Sequence, residues 1–335
     1  MRDKERVMRR RDFLALGSAA IACGGLAPCA ASAQRNYPER PIRLIIPFPP
    51  GGGFDAIGRP WADRIRPLLG TVVVENEGGA GSSLGAATVA HARSDGYTLL
   101  LGGSSTHITE AILKSRPIYN PMTDLDPISN IAVSAFALAV HPSIPARTLQ
   151  EFIDYDKANR GALSYGHAGV GSLNHLTGEL FKSLAGIPDL VQVPYRGSGP
   201  ATADALAGHV AMVTPAVTGQ LIEFHRTGKL RILAVTSPAR LVAAPDLPAA
   251  AETLPGMISQ QSIGVFAPAG TPAAIIERLV LANHAALAAP EFQRMLVESG
   301  FEPDVDSSPL KLQKLIEGEI SKWTPIVAAI GIRID

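Results

Sequence analysis

Five short stretches carry most of the chemistry this chain can offer: "PPGGGFD" (49–55), "GGAGSS" (78–83), "GGSSTH" (102–107), "GHAGVGSLNH" (166–175) and "YRGSGPA" (195–201). Their side chains are small or missing, so what they present is backbone N–H. Hydroxyls at Ser82, Ser83, Ser104, Ser105, Thr106 and Ser172 add donors. Glycine lets a ligand approach the main chain closely. A helix N-terminus leaves N–H groups unpaired and carries the positive end of a dipole. Several such ends converging make an anion site, for phosphate or for carboxylate. Micromolar binding corresponds to about 8 kcal/mol. Hydrogen bonds to a charged group contribute about 1.5–3 kcal/mol each, so about four or five suffice without any Lys or Arg. Arg196 would add to them. The candidate contacts are Pro50, Gly51, Gly52, Gly53, Phe54 and Asp55; Ala80, Gly81, Ser82 and Ser83; Ser104, Ser105 and Thr106; Gly169, Val170, Gly171, Ser172 and His175; Arg196, Gly197 and Thr214.

Other chemistries fit less well. "GSSLG" (81–85) matches G-x-S-x-G, with Ser83 in the nucleophile's place. A hydrolase elbow needs a strand running straight into that Ser. Here "ENEGGAG" intervenes, and helix capping explains the serines. "PPGGGFD" lacks the Lys-Ser/Thr end of a P-loop, and no G-x-G-x-x-G stands at the first turn. The eight histidines show no paired ligand spacing and the carboxylates no acid–base pair, so neither a metal nor a cofactor is expected.

The loops must be positioned by the elements around them. "PIRLIIPF" (41–48), "TVVVEN" (71–76) and "YTLLLGG" (97–103) read as strands. Between them run helical patterns; the first has Ile57, Trp61, Ile65 and Leu68/Leu69 on one face and ends at Gly70. Pro60 fits it only within a first turn. Strand, glycine-rich loop and helix in repetition predict a doubly wound parallel sheet, with ligands at the carboxyl ends of the strands. The same grammar restarts after "TLQEFIDYDKANRG" (148–161). Two α/β lobes follow, 38–138 plus 262–335 and 139–261. The β-like stretches 128–143 and 259–270 cross between them, and the last helices return to the first lobe.

At 335 residues two cores are the natural expectation. The formal charge is zero, which gives no electrostatic footprint for nucleic acid. That balance hides a basic head. Residues 1–33 hold six Lys/Arg against three Asp/Glu, then a short apolar run, then Ala31-Ser32-Ala33. This is the layout of a cleavable export signal, and "RRDFL" (10–14) resembles its twin-arginine form. Cleavage after Ala33 would remove both cysteines, Cys23 and Cys29, and place the product in the periplasm.

The blocks "YPERPIRLIIPFPPGGGFD", "VVVENEGGAGSSLGA", "DGYTLLLGGSSTH", "LSYGHAGVGSLNHLTGELF", "VPYRGSGPATADALAGHV", "GKLRILAVTSPAR" and "GVFAPAGTP" resemble the Bug family, over nearly the whole chain after residue 33. These are extracytoplasmic solute receptors of tripartite tricarboxylate-type transporters. The resemblance implies a two-lobe periplasmic-binding-protein fold, type II-like, that closes on a small carboxylate held by backbone amides and water. It implies membrane permease subunits as partners, a monomer, and no enzymatic activity. Presentation of ligand to a sensor kinase is the alternative role, and a secreted serine hydrolase using Ser83 is the alternative of another class. Two departures stand out. Phe54 occupies a place usually taken by a small hydroxyl residue, which points to an aromatic or apolar-bodied acid. "AMVTPAVTG" (211–219) lacks the family's Asp-rich run, so a contact to a ligand amino group is not implied.

Overall fold

The computed structural model describes residues 37–334. The expected export signal, residues 1–33, lies outside the described residues. Of the unit Met1–Glu39 only residues 37–39 are described, and they form no helix or strand. The rest of the described chain belongs to the unit that begins at Arg40.

β1 (Ile42–Ile46), β2 (Val72–Asn76) and β3 (Thr98–Gly103) pair in parallel, with β1 in the middle. α1 (Gly53–Leu69) follows β1 and buries Phe54, Ile57, Trp61, Ile65 and Leu69, the one-sided spacing of an amphipathic helix. Pro60 lies in its interior, not in its first turn. Packing carries the helix past the lost backbone hydrogen bond: Trp61 is buried and its Nε1 donates to Asn283 Oδ1 at 2.8 Å. α2 (Ser83–Ala90) follows β2, and α3 (Ser104–Ile108) follows β3. α3 runs into one π-helical turn, Thr109–Leu113.

The chain then changes sheets. β4 (Leu125–Ala135) belongs to the first sheet and β5 (Ala137–Val140) to the second, with Phe136 between them. α4 (Leu149–Ala158), β6 (Ser164–His167), α5 (Leu173–Ala185), β7 (Val191–Pro194), α6 (Ser198–Leu206), β8 (Met212–Val213), α7 (Gly219–Arg226) and β9 (Arg231–Val235) build the second lobe, with sheet order β7-β6-β8-β5-β9. β10 (Gln260–Pro268) returns to the first sheet and inserts between β3 and β4. α8 (Ala273–Leu287), α9 (Pro290–Glu298), β11 (Phe301–Pro303) and α10 (Pro309–Ile330) complete the chain. The first sheet reads β11-β4-β10-β3-β1-β2. The expected boundaries 138/139 and 261/262 fall inside β5 and β10.

Both sheets are mixed rather than parallel throughout. β10 runs antiparallel to β3 and β4, and β5 runs antiparallel to β8 and β9. The cause is topological. Strands such as β1 and β6 carry the chain toward the cleft, whereas β5 and β10 each start at a crossing and carry it away.

The two crossings pair side by side through β4 and β10, and Thr236 ties their ends together. Thr236 Oγ1 accepts from Phe136 N at 2.9 Å and lies 2.6 Å from the Ser259 carbonyl, to which it donates. Thr236 N donates to the Phe136 carbonyl, and Ser259 N to the Thr236 carbonyl. α10 also spans both lobes. Leu312 and Ile316 pack with Ile45, Leu100 and Phe266, while Trp323 and Val327 pack with Leu138, Phe152 and Phe181.

Candidate functional site

The loops after β1 and β2 face those after β6 and β7. Gly81 and Gly197 make this approach possible. A methyl group on Gly81 would lie 2.6 Å from the Val170 carbonyl oxygen, and Gly81 has φ +68°. One on Gly197 would lie 2.5 Å from Pro49 Cγ. Thr109, in the π-helical turn, donates from Oγ1 to the Gly171 carbonyl at 2.7 Å, and Ser105 Oγ accepts from Leu173 N at 3.4 Å. The lobes thus meet in a closed arrangement, with cavities on either side of the contact.

The larger cavity, about 690 Å³, is lined by Ala80, Gly81, Ser82, Gly169, Val170 and Arg196 from the expected set. Pro50, Gly51, Gly52 and Gly53 line a second, of about 360 Å³. Gly52, Gly53 and Phe54 border a constriction of about 10 Å³. The segment before α2 is strained. Ala80 has φ 48° and Ser82 φ 103°, both left-handed values that cost a non-glycine residue of order 1–3 kcal/mol. Ser82 and Ser83 are buried, and neither hydroxyl has a hydrogen-bond partner among the described residues. Strain together with unpaired buried donors marks a place built for something other than stability. Ser83 is therefore held by no general base.

Several expected contacts are engaged elsewhere. Ser104 Oγ accepts from Ser262 N at 2.9 Å, and the two hydroxyls lie 3.1 Å apart. Thr106 Oγ1 accepts from Gly103 N. Asp55 supports the first loop: its carboxylate accepts from Gly51 N at 3.3 Å, Arg59 Nε at 3.0 Å and Asn76 Nδ2 at 3.1 Å. Thr214 Oγ1 donates to the Asn174 carbonyl, and Asn174 Nδ2 to the Thr214 carbonyl. Ser172 caps α5, accepting from His175 N. No group of three or more His, Cys, Asp or Glu side chains suited to a metal occurs among the described residues.

The sequence profile of the tripartite tricarboxylate transporter family receptor (TctC) matches residues 57–332. The chain belongs to this receptor family. Protein BugT of Bordetella pertussis is 34% identical over 334 residues, covering 98% of this chain and 100% of BugT. An R. palustris protein solved with adipate superposes with a TM-score of 0.85 at 32% identity, over 89% of this receptor and 99% of that chain. MatC from Rhodopseudomonas palustris, solved with bound malate, superposes with a TM-score of 0.82 at 30% identity, over 87% of this receptor and 100% of MatC.

In this receptor two histidines serve the 169–172 loop as neutral acceptors. His167 Nδ1 accepts from Gly169 N and His175 Nδ1 from Gly171 N, both at 3.3 Å. Their rings stack at 4.5 Å. Burial lowers both pKa values; for His175, which also feels His167 and Lys182, the value drops to about 3. Below that pH both ring nitrogens of His175 carry a proton, and its Nδ1 cannot accept.

Sequence reasoning missed Phe48, Lys114, Tyr195 and Ile334, which line the large cavity, and Asn174 and Gln261, which line the constriction. Phe48 stood just before one quoted loop and Tyr195 opened another, so both were legible as neighbours. Ile334 had no signal. It arrives because Ile334 N donates to the Leu113 carbonyl at 2.9 Å, bringing the segment after α10 to the cleft.

Proposed function

We propose that this receptor captures a small organic carboxylate between its lobes in the periplasm and delivers it to the membrane subunits of a tripartite tricarboxylate transporter. It acts as a monomer and catalyses no reaction. The observation that carries this is Ser82: a buried hydroxyl without a partner, on strained backbone, lining the same interlobe cavity as Arg196. An anion is the ligand that satisfies both groups. The adipate and malate of two relatives support carboxylate over phosphate. No helix among the described residues is long and apolar enough to cross a membrane, so transport requires partner subunits.

A thermal-shift screen of the purified protein tests this, against mono-, di- and tricarboxylates, amino acids, sugars and phosphates. Ligand at a hundred times its dissociation constant stabilises by about 2.7 kcal/mol. A shift confined to carboxylates is expected. A response to phosphates or sugars with silence across the acids would overturn the reading.

A further inference from the structure

The segment after α10 reaches the interlobe cleft. Gly331, at a left-handed φ of 76°, donates its N–H to the Val327 carbonyl and ends the helix. Ile332 and Ile334 then pack against the core that holds Trp323 and Val327. Ile334 forms a single parallel bridge with Lys114. Its N–H donates to the Leu113 carbonyl at 2.9 Å, and its own carbonyl accepts from Ser115 N at 3.2 Å. These two bonds clamp the main chain of Ile334 from both sides.

The Ile334 side chain fills a notch at Gly171. A methyl group on Gly171 would overlap Ile334 Cδ1, and would lie 3.3 Å from Thr109 Cγ2 and 3.6 Å from Leu113 Cδ1. The same glycine meets the strained segment before α2: a methyl group on Gly81 would lie 3.3 Å from the Gly171 carbonyl carbon. Ile334, Gly171 and Gly81 therefore stand in a row, and Ser82 is next along the chain. Ile334, Gly81 and Ser82 all line the larger compartment, of about 690 Å³. Lys114 lines it too, but its Nζ is paired with the buried Glu110 carboxylate at 2.7 Å. At the bridge the compartment thus presents the hydrocarbon of Ile334 rather than an uncommitted charge.

We propose that Ile334 is a specificity-determining residue, a wall that sets the length of ligand the larger compartment accepts. This rests on the carboxylate reading above. Loop amides and hydroxyls hold the charged groups of an acid of any length alike; length is read by what the remaining carbons meet. Carbons that reach Ile334 leave water for an apolar contact, and each methylene so covered counts about fourfold in affinity. A chain one carbon too long meets a side chain that cannot retreat, because Gly171, Thr109 and Leu113 stand close behind it. Such an acid binds only with the lobes held apart.

Isothermal titration of the purified protein tests this with straight-chain acids of increasing length, butanoate to decanoate and succinate to sebacate. The unmodified protein is expected to show an affinity maximum at one length in at least one series. Ile334→Ala removes the side chain beyond Cβ and keeps both main-chain hydrogen bonds. It is expected to weaken the best acid about tenfold and to move the maximum toward longer acids. Ile334→Val, which loses only Cδ1, is expected to move it the same way by less. Equal weakening of every acid with the maximum unmoved would make Ile334 a structural contact alone and overturn the proposal. Unchanged affinities would place the ligand out of its reach and overturn it as well. An unmodified protein indifferent to length overturns the proposal and leaves the carboxylate reading intact. Failure of every acid to bind overturns both readings.

Discussion

His175 shows how a binding loop is held without being charged. Its imidazole accepts the Gly171 N–H, stacks on His167 and stays neutral because burial opposes protonation. The unfolded chain has no such constraint, and its histidines titrate near 6.5. The stabilisation from a depressed histidine pKa is fully present above the unfolded value and is lost as pH falls from about 6.5 toward about 3. Between pH 7 and pH 5 this one group accounts for about 2 kcal/mol of lost stability. Urea unfolding at the two pH values checks it: the loss is expected to shrink by about that amount in His175→Gln. An unchanged loss would remove His175 from the account. At this scale the sequence was half legible. Ser82 and Ser104 look alike in a string, each after glycines and before a helix. Only the fold shows Ser104 paired to Ser262, from a strand 158 positions away, while Ser82 has no partner.

The crossing segments are the elements that join the two sheets. Both are tied to Thr236, which is fully buried. Thr236→Val keeps the shape and removes the hydroxyl. Phe136 N–H then lacks its side-chain acceptor, and a buried unsatisfied group costs about 1–3 kcal/mol. A lower urea midpoint is expected, with faster amide exchange at Phe136; normal exchange there would show that the crossings are held by other contacts. The strand-loop-helix repeats were legible because apolar runs alternate with glycine-rich turns on a local scale. The antiparallel sense of β5 and β10 was not, since direction depends on where the chain re-enters a sheet. Pro60 misled for a related reason, because local propensity yields to the packing of Trp61 against α8.

On the scale of the whole molecule, ligand binding is expected to close the cleft by moving one lobe against the other. Small-angle scattering with and without a saturating carboxylate is expected to show compaction; superimposable curves would argue for a cleft that stays shut. Two lobes were readable from length and from the restart of the pattern near residue 161. The reach of α10 was not. Leu312, Ile316, Trp323 and Val327 look like one apolar stripe, yet the first two enter one core and the last two the other.

The position of β10 has a consequence for how the chain acquires its structure. The second sheet is assembled from residues 137–235, a continuous run. The first is interrupted: β3 and β4 flank β10, whose residues come more than 120 positions after β4 ends. Joining such distant segments means closing a long loop before any pairing compensates for it, and that slows folding. The second sheet can therefore pair alone, although its core still awaits Trp323 and Val327 of α10, while the first waits, split into two parts, for a strand made after the last strand of its partner. Until β10 arrives, β3 and β4 present open edges to any other chain nearby. The period of greatest exposure to misassembly thus falls late in synthesis, in the lobe that starts first.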